Sequence, residues 1–495
     1  MKGSSAGILL LLLASLASLG AVLGATAQAQ AVVTAAARPN FLFVYADDQR
    51  WDAMGVVQRE QGERARFPWF QTPNMDRLAA EGVRFRNAFV VHSLCSPSRA
   101  AFLTGLYNHL NGVANNHTPF PANSITHAAL LRAAGYRTGY IGKWHMGQQR
   151  GPRPGFDYSA SYVAHGRYDD CPFEIDGART ETMGWVDDVA TDFAIEFLKQ
   201  NQAKPFLLIV GYKSPHGPRT PPARWQSELG DVEAKPAVTA TNFAPYRGKV
   251  EAGQPAKAQP APARASEAPH GPGPELVRNY FRTIAAVDEN LGRLLATLDE
   301  LRLAENTVVV YASDNGFFLG EHGLGDKRAA YEESIRIPLL LRYPKLGDRA
   351  KGKVIDALAL NIDLAPTFLD LASVPVPAQM QGKSWRPLLE SKPAAWRKSF
   401  FYEYFYEKGF AIPTVLAVRT ESAKLIRYPG HDDWTELFDL KADPNETRNL
   451  AGDARGQKLL ESMKAEFERQ AKSIEFRIPE YADPVPADPK KEAKK

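Results

Sequence analysis

The chain has 495 residues, with 60 Lys and Arg against 56 Asp and Glu, a net charge of +4 and only two cysteines. A charge so near balance, with no long single-sign run before the terminal KKEAKK, argues against nucleic acid as a partner. The length suits one large domain and a smaller one, and a domain that large needs no disulfide staple.

In chain order, Lys2 is followed by ILLLLLASLASLGAVLG and ATAQAQA, the basic, apolar and small-residue regions of a signal peptide over 1–29. Its apolar core is too short and too rich in Ala and Ser for a bilayer span. We therefore expect no membrane anchor and a secreted or periplasmic location. Four β-rich runs come next: NFLFVYADDQ, GYRTGYIGKWH, KPFLLIVGYKSPH and NTVVVYASDNG. They alternate with helical patterns such as TPNMDRLAAEG, ATDFAIEFLKQ and ELVRNYFRTIAAVDENLGRLLATLDEL. This alternation predicts an α/β domain over 38–385, a mostly parallel sheet sandwiched by helices. Residues 228–274, rich in Pro and Ala and aperiodic, interrupt it and read as a surface insertion or mobile loop. From 386 to 480 the aromatic, alternating segments SFFYEYFYEKG, TVLAVRTESAKLIRYP and TELFDL precede a charged helix, which predicts a smaller sheet-plus-helix domain. Residues 481–495 read as a disordered tail.

Each of the four strands ends in chemically capable residues: Asp47 and Asp48; Lys143 and His145; His216; Asp314 and Asn315. In open α/β sheets ligands bind beyond the carboxyl ends of the strands, so these groups should converge there. Asp47, Asp48, Asp314 and Asn315 offer oxygen ligands, which select a hard cation such as Ca²⁺ or Mg²⁺. Taken singly, DD and SDNG are also ordinary turn chemistry. Beside a cation, Arg99, Lys143, His145, His216 and Lys327 describe a pocket for a tetrahedral oxyanion ester.

Cys95 stands in HSLCSPSRAAFLTG, at an expected helix start. A disulfide to Cys171 is the plain reading. The run CSPSRAAFLTG, however, resembles the signature of the type I sulfatases, whose core C-x-P-S-R is matched by Cys95, Pro97, Ser98 and Arg99. The resemblance continues through GKWH, SPH and SDNGFFLGEHGLGDKRAAYEESIRIPLLLRYP to ELFDLKADPNETRNLA. It implies an alkaline-phosphatase-like α/β domain with a smaller antiparallel-sheet domain. It further implies that a maturation enzyme acting on residues 95–99 converts Cys95 to formylglycine. Asp47, Asp48, Asp314 and Asn315, with the matured Cys95, would hold one Ca²⁺, Mg²⁺ being the alternative. Arg99, Lys143, His145, His216 and Lys327 would line the sulfate pocket.

The resemblance thus implies a sulfuric ester hydrolase. A hydrated aldehyde has two oxygens on one carbon, so one can take the sulfuryl group and the other can then expel sulfate, which a serine cannot do. His216, helped by Lys327, is expected to protonate the departing alcohol and His145 to serve as base. The alternatives are an arylsulfatase of other specificity, a phosphonate or phosphate ester hydrolase, and a non-catalytic glycan-binding protein. The stretch SDNGFFLGEHGLGDKRAAYEESIRIP resembles the N-acetylglucosamine-6-sulfatases and other glycosaminoglycan sulfatases, which favours a sulfated carbohydrate carrying a 6-O-sulfated hexosamine. Glu321 and His322 are expected either on a loop over the pocket, where a sugar ring would sit, or merely as caps of the following turn; Trp144 could wall a ring, although an aromatic beside a strand end more often belongs to the core.

Overall fold

The computed structural model describes residues 38–247, 272–392, 395–407 and 410–479. The expected signal peptide, the tail from 481 and residues 248–271 of the insertion lie outside the described residues. Asn40 onward belongs to one compact unit. Among the described residues no helix is long and apolar enough to cross a membrane.

The four expected strands form as β1 (Asn40–Ala46), β2 (Arg137–Lys143), β4 (Phe206–Gly211) and β5 (Thr307–Ser313), joined by β3 (Tyr158–Tyr162) and β6 (Leu339–Arg342). They lie in the order β6-β5-β1-β4-β2-β3, and short strands complete a ten-stranded sheet. The pairs β5-β1, β1-β4, β4-β2 and β2-β3 are parallel; β6 runs antiparallel to β5. The expected mostly parallel sheet is thus observed, with every parallel strand ending on the same edge.

Strand side chains alternate between faces, so a strand covered on both sides must be apolar throughout. Along β1, Leu42, Val44 and Ala46 enter one core with α2 (Val186–Gln200) and α3 (Pro274–Glu300). Phe41, Phe43 and Tyr45 enter the other, where Phe102 of α1 (Cys95–Thr104) and Phe368 pack on them. Each such large apolar side chain contributes about 1.5–3 kcal/mol by burial.

The expected C-terminal sheet is β7 (Ser399–Tyr404), β8 (Val415–Thr420), β9 (Ala423–Arg427) and β10 (Glu436–Asp439), all antiparallel, covered by α4 (Gln457–Ser473). Buried Glu403 of β7 ties this sheet to the helical turn Asn108–Asn111 by accepting from the Asn108 and His109 amides, at 2.6 and 3.0 Å, and from His109 Nδ1 at 2.7 Å.

The first part of the insertion differs from a mobile surface loop. Residues 228–247 have neither helix nor strand, yet Lys235 donates its amide to Arg66, His322 donates its amide to the Thr239 carbonyl at 3.0 Å, and Ala244 and Tyr246 are buried. Backbone hydrogen bonds to distant loops hold it, which a local pattern does not reveal.

Candidate active site

The geometry begins at α1. Leu94 is extended, Cys95 opens the helix, and Pro97 sits in the first turn, where no intrahelical amide bond is lost. Gly105, at φ 67°, closes the helix by returning its amide to the Ala101 carbonyl. All ten helix residues are buried, so Cys95 and Arg99, one turn apart, are delivered together to the strand ends. Both cysteines are free thiols, which removes the disulfide reading.

Around Cys95 Sγ stand Asp47 Oδ1 at 3.3 Å, Lys327 Nζ at 3.1 Å and Lys143 Nζ at 4.0 Å. Lys143 grips Asp47 Oδ2, and Lys327 donates to Asp48 Oδ1 at 2.5 Å. Gly142, just before Lys143, has φ 89°, and a Cβ there would come within 2.1 Å of the Gly211 carbonyl, so only glycine lets β2 approach β4 so closely. Asp48 itself adopts φ 76°.

Asp47, Asp48 and Asp314 place carboxylate oxygens within 4.8 Å of one another, fully buried. Asn315 donates to Asp48 Oδ1 at 2.7 Å, while its own Oδ1 is buried with no partner. An oxygen-only donor set with an orphaned amide oxygen fits a hard divalent cation. The charges agree. Burial and the neighbouring Asp47 raise the Asp314 carboxyl to about 7 despite Arg99. Burial would raise Asp47 too, but Lys143, His216 and Arg99 hold it well below the usual carboxylate range. Burial, then Asp47, pushes the Cys95 thiol up to about 12 against the pull of Lys143 and Lys327.

His145 and His216 also reach the site. The His216 ring Nδ1 donates to the Gly217 carbonyl at 3.0 Å, which leaves Nε2 as its free face. Between the two rings lies His165, its centroid 3.8 Å from His145 and 4.5 Å from His216. Burial, then Lys143, holds all three imidazoles far below the ordinary range, His165 at about 2. Lys213 donates to the His165 carbonyl at 2.9 Å. Sequence reasoning missed both. The signal for His165 was the same strand-end rule, since it follows β3, a strand not recognised as such from its sequence.

Thus Asp47, Asp48, Cys95, Arg99, Lys143, His145, His216, Asp314, Asn315 and Lys327 all come together. Glu321 and His322 correct the expectation of a loop poised over a sugar. Glu321 is buried and bound by Arg50 at 2.7 Å and by Arg66, while its other oxygen accepts the Leu319 amide at 2.6 Å. His322 is buried and stacked on Tyr331, with centroids 3.7 Å apart. Salt bridges and stacking bury these polar side chains, and neither is free to meet a substrate. Trp144 packs between Phe120, Tyr140 and Phe156, the core placement of the two that its sequence position allowed.

A mostly parallel sheet with this constellation at its strand ends defines an ester hydrolase of the alkaline-phosphatase-like fold. Residues 39–374 match the family model described as sulfatase, and residues 320–473 that described as N-sulphoglucosamine sulphohydrolase, C-terminal. The chain belongs to the sulfatase family, and it is a sulfuric ester hydrolase. It is similar to an N-acetylglucosamine-6-O-sulfatase of Bacteroides thetaiotaomicron, 35% identical over 501 residues, 88% of this chain and 87% of the relative. The solved structure of BT4656 in complex with its substrate D-glucosamine-2-N,6-O-disulfate is 33% identical, covers 90% of this chain and 100% of that one, and gives a TM-score of 0.79. The phosphonate monoester hydrolase of Agrobacterium radiobacter shares the fold at 22% identity and a TM-score of 0.68, over 88% of this chain and 96% of that one. Family membership implies a formylglycine-modified cysteine and a divalent metal.

Proposed function

We propose that this enzyme removes the 6-O-sulfate of a hexosamine in sulfated glycans, using Cys95 matured to formylglycine and one Ca²⁺. The observation that supports the chemistry is the packing of Cys95 against Lys143, Lys327 and three clustered carboxylates. Asp47, Asp48, Asp314 and Asn315 would hold the cation. When bound, a divalent cation supplies positive charge that polarises the ester oxygens and relieves the crowding of carboxylates.

The side chains divide the remaining work. Lys143 and Lys327, on either side of residue 95, neutralise the charge of the sulfate oxygens and of the matured residue. Arg99 holds Asp314 in place, donating to its Oδ2 from Nε and Nη2. His216 presents Nε2, and an arriving anionic ester favours the ring's taking up a proton from solvent there, which it then gives to the leaving alcohol oxygen. His145, whose Nδ1 is buried and unpartnered, is placed to accept the proton when the matured residue is restored. Maturation of Cys95, by an enzyme that reads residues 95–99, would supply the two oxygens on one carbon that a thiol lacks. A secreted or periplasmic location suits a polymeric glycan substrate.

The sulfate position rests on likeness to the N-acetylglucosamine-6-O-sulfatase and to the structure holding a glucosamine 2-N,6-O-disulfate. Assaying matured enzyme on 2-, 3-, 4- and 6-sulfated monosaccharides and disaccharides, beside nitrophenyl sulfate and phosphate, tests it. Preference for the 6-sulfate is expected; activity confined to the aryl esters, or another preferred position, overturns it.

A further inference from the structure

Arg219 lies three residues beyond His216 on the loop leaving β4, at φ 65°, a left-handed conformation uncommon for any residue with a Cβ. Its guanidinium rests 4.4 Å from the Phe317 ring centroid and 5.7 Å from that of Tyr280. Phe317 follows Asn315 by two residues. The Tyr280 hydroxyl donates to the Asp48 carbonyl at 2.7 Å. Tyr168, whose hydroxyl donates to the His216 carbonyl at 2.6 Å, lies within reach of the Arg219 charge. Arg219 is therefore packed on Phe317, beyond Asn315, and near Tyr280, which holds the Asp48 carbonyl, on the same loop as His216.

The residue is 8% exposed, yet its Nε has no hydrogen-bond partner, and among the described residues no carboxylate pairs with it. Arg50, Arg99 and Arg328, comparably buried, each grip a carboxylate. Removing a cation from water without a counter-ion is costly, and stacking on an aromatic ring offsets only part of that cost. A planar guanidinium fork is, however, well matched to two oxygens of a carboxylate or sulfo group.

We propose that Arg219 seats a second anionic group of the substrate, a carboxylate or sulfo group on the same sugar or its neighbour, beside the ester being cleaved. The inference rests on the sulfated-glycan reading above. It adds that the substrate is at least dianionic and that recognition of the second charge is separate from the chemistry at Cys95.

The test uses matured full-length enzyme and matched saccharides that keep the hydrolysed sulfate, at whichever position the parent cleaves, and vary the second group. One set exchanges N-acetyl for N-sulfo; another exchanges a neighbouring uronate for its reduced, neutral alcohol. The parent should prefer one dianionic member, and added KCl should weaken that preference. Arg219→Gln should lower the ratio of kcat/KM for the dianionic over the monoanionic partner about ten- to a hundredfold, the worth of a charge-assisted contact. Arg219→Lys, which keeps the charge and loses the fork, should lower it less. A parent with no such preference, or a ratio unchanged in both variants, overturns the proposal. If Arg219→Gln fails to fold, the lysine variant and the salt dependence of the parent decide. Turnover of no saccharide at all would instead overturn the glycan reading itself, and this inference with it.

Discussion

Arg99 donates two hydrogen bonds to a single oxygen of Asp314, from Nε at 2.9 Å and from Nη2 at 2.8 Å. The other oxygen, Oδ1, accepts the Asp48 amide at 3.1 Å. One side chain of α1 thus locks the end of β5 beside the end of β1, and the helix that presents Cys95 is fixed to the carboxylates that face it.

Arg99→Ala should therefore act on stability as well as on activity. It leaves a fully buried carboxylate without its cation, a change worth about 3–5 kcal/mol. Urea unfolding measures it, with intact mass recorded alongside to separate lost maturation from lost structure. A midpoint equal to that of the parent would mean that the clamp carries no load.

Cys95→Ala should lower turnover of sulfate esters about a thousandfold or more, the scale seen when a catalytic nucleophile is removed. Its melting temperature should move little, because no disulfide depends on it. Mass spectrometry across residues 92–105 of the parent should show formylglycine; a thiol there in fully active enzyme would exclude the maturation reading.

Chelation should remove both activity and stability. A bound cation stabilises the folded state by mass action, about 2.7 kcal/mol at a hundred times its dissociation constant. Asp314→Asn should reproduce the loss and abolish the response to added Ca²⁺. Metal-free protein with parental activity and melting temperature would refute the oxygen-ligand set.

His216→Ala should slow sulfate esters of sugar alcohols by about 10²–10⁴-fold, the usual contribution of a general acid. Nitrophenyl sulfate, whose leaving group departs without a proton, should suffer much less. Equal losses on the two substrates would take His216 out of that role.

Glu321 supplies a pH test. Burial would raise its carboxyl, but Arg50 and Arg66 outweigh this and hold it at about 2. The folded value lies below the unfolded one, so the stabilisation is complete above pH ~4.5 and is lost as pH falls toward 2. The parent should exceed Glu321→Gln by about 3 kcal/mol near neutrality, and the gap should close through that window. A gap independent of pH, from urea midpoints at several pH values, would contradict the ion pairing.

The sequence by itself determined what is local. Apolar runs such as NFLFVYADD must be strands buried on both faces, their polar ends must share one edge, and CSPSR carries the signature of the sulfatase family. These depend on side-chain period and on a contiguous peptide. Only the tertiary structure decided what depends on residues far apart in the chain. It set the lateral order β6-β5-β1-β4-β2-β3 and inserted β6 antiparallel. It brought His165 between two histidines that the sequence had already singled out, because β3 lies beside β2. It turned Glu321 inward, since two arginines more than 250 positions upstream offer it ion pairs that no solvent-facing loop could match. Buried charges must find counter-charges, and which partner each one finds is fixed by packing, which a linear pattern does not contain.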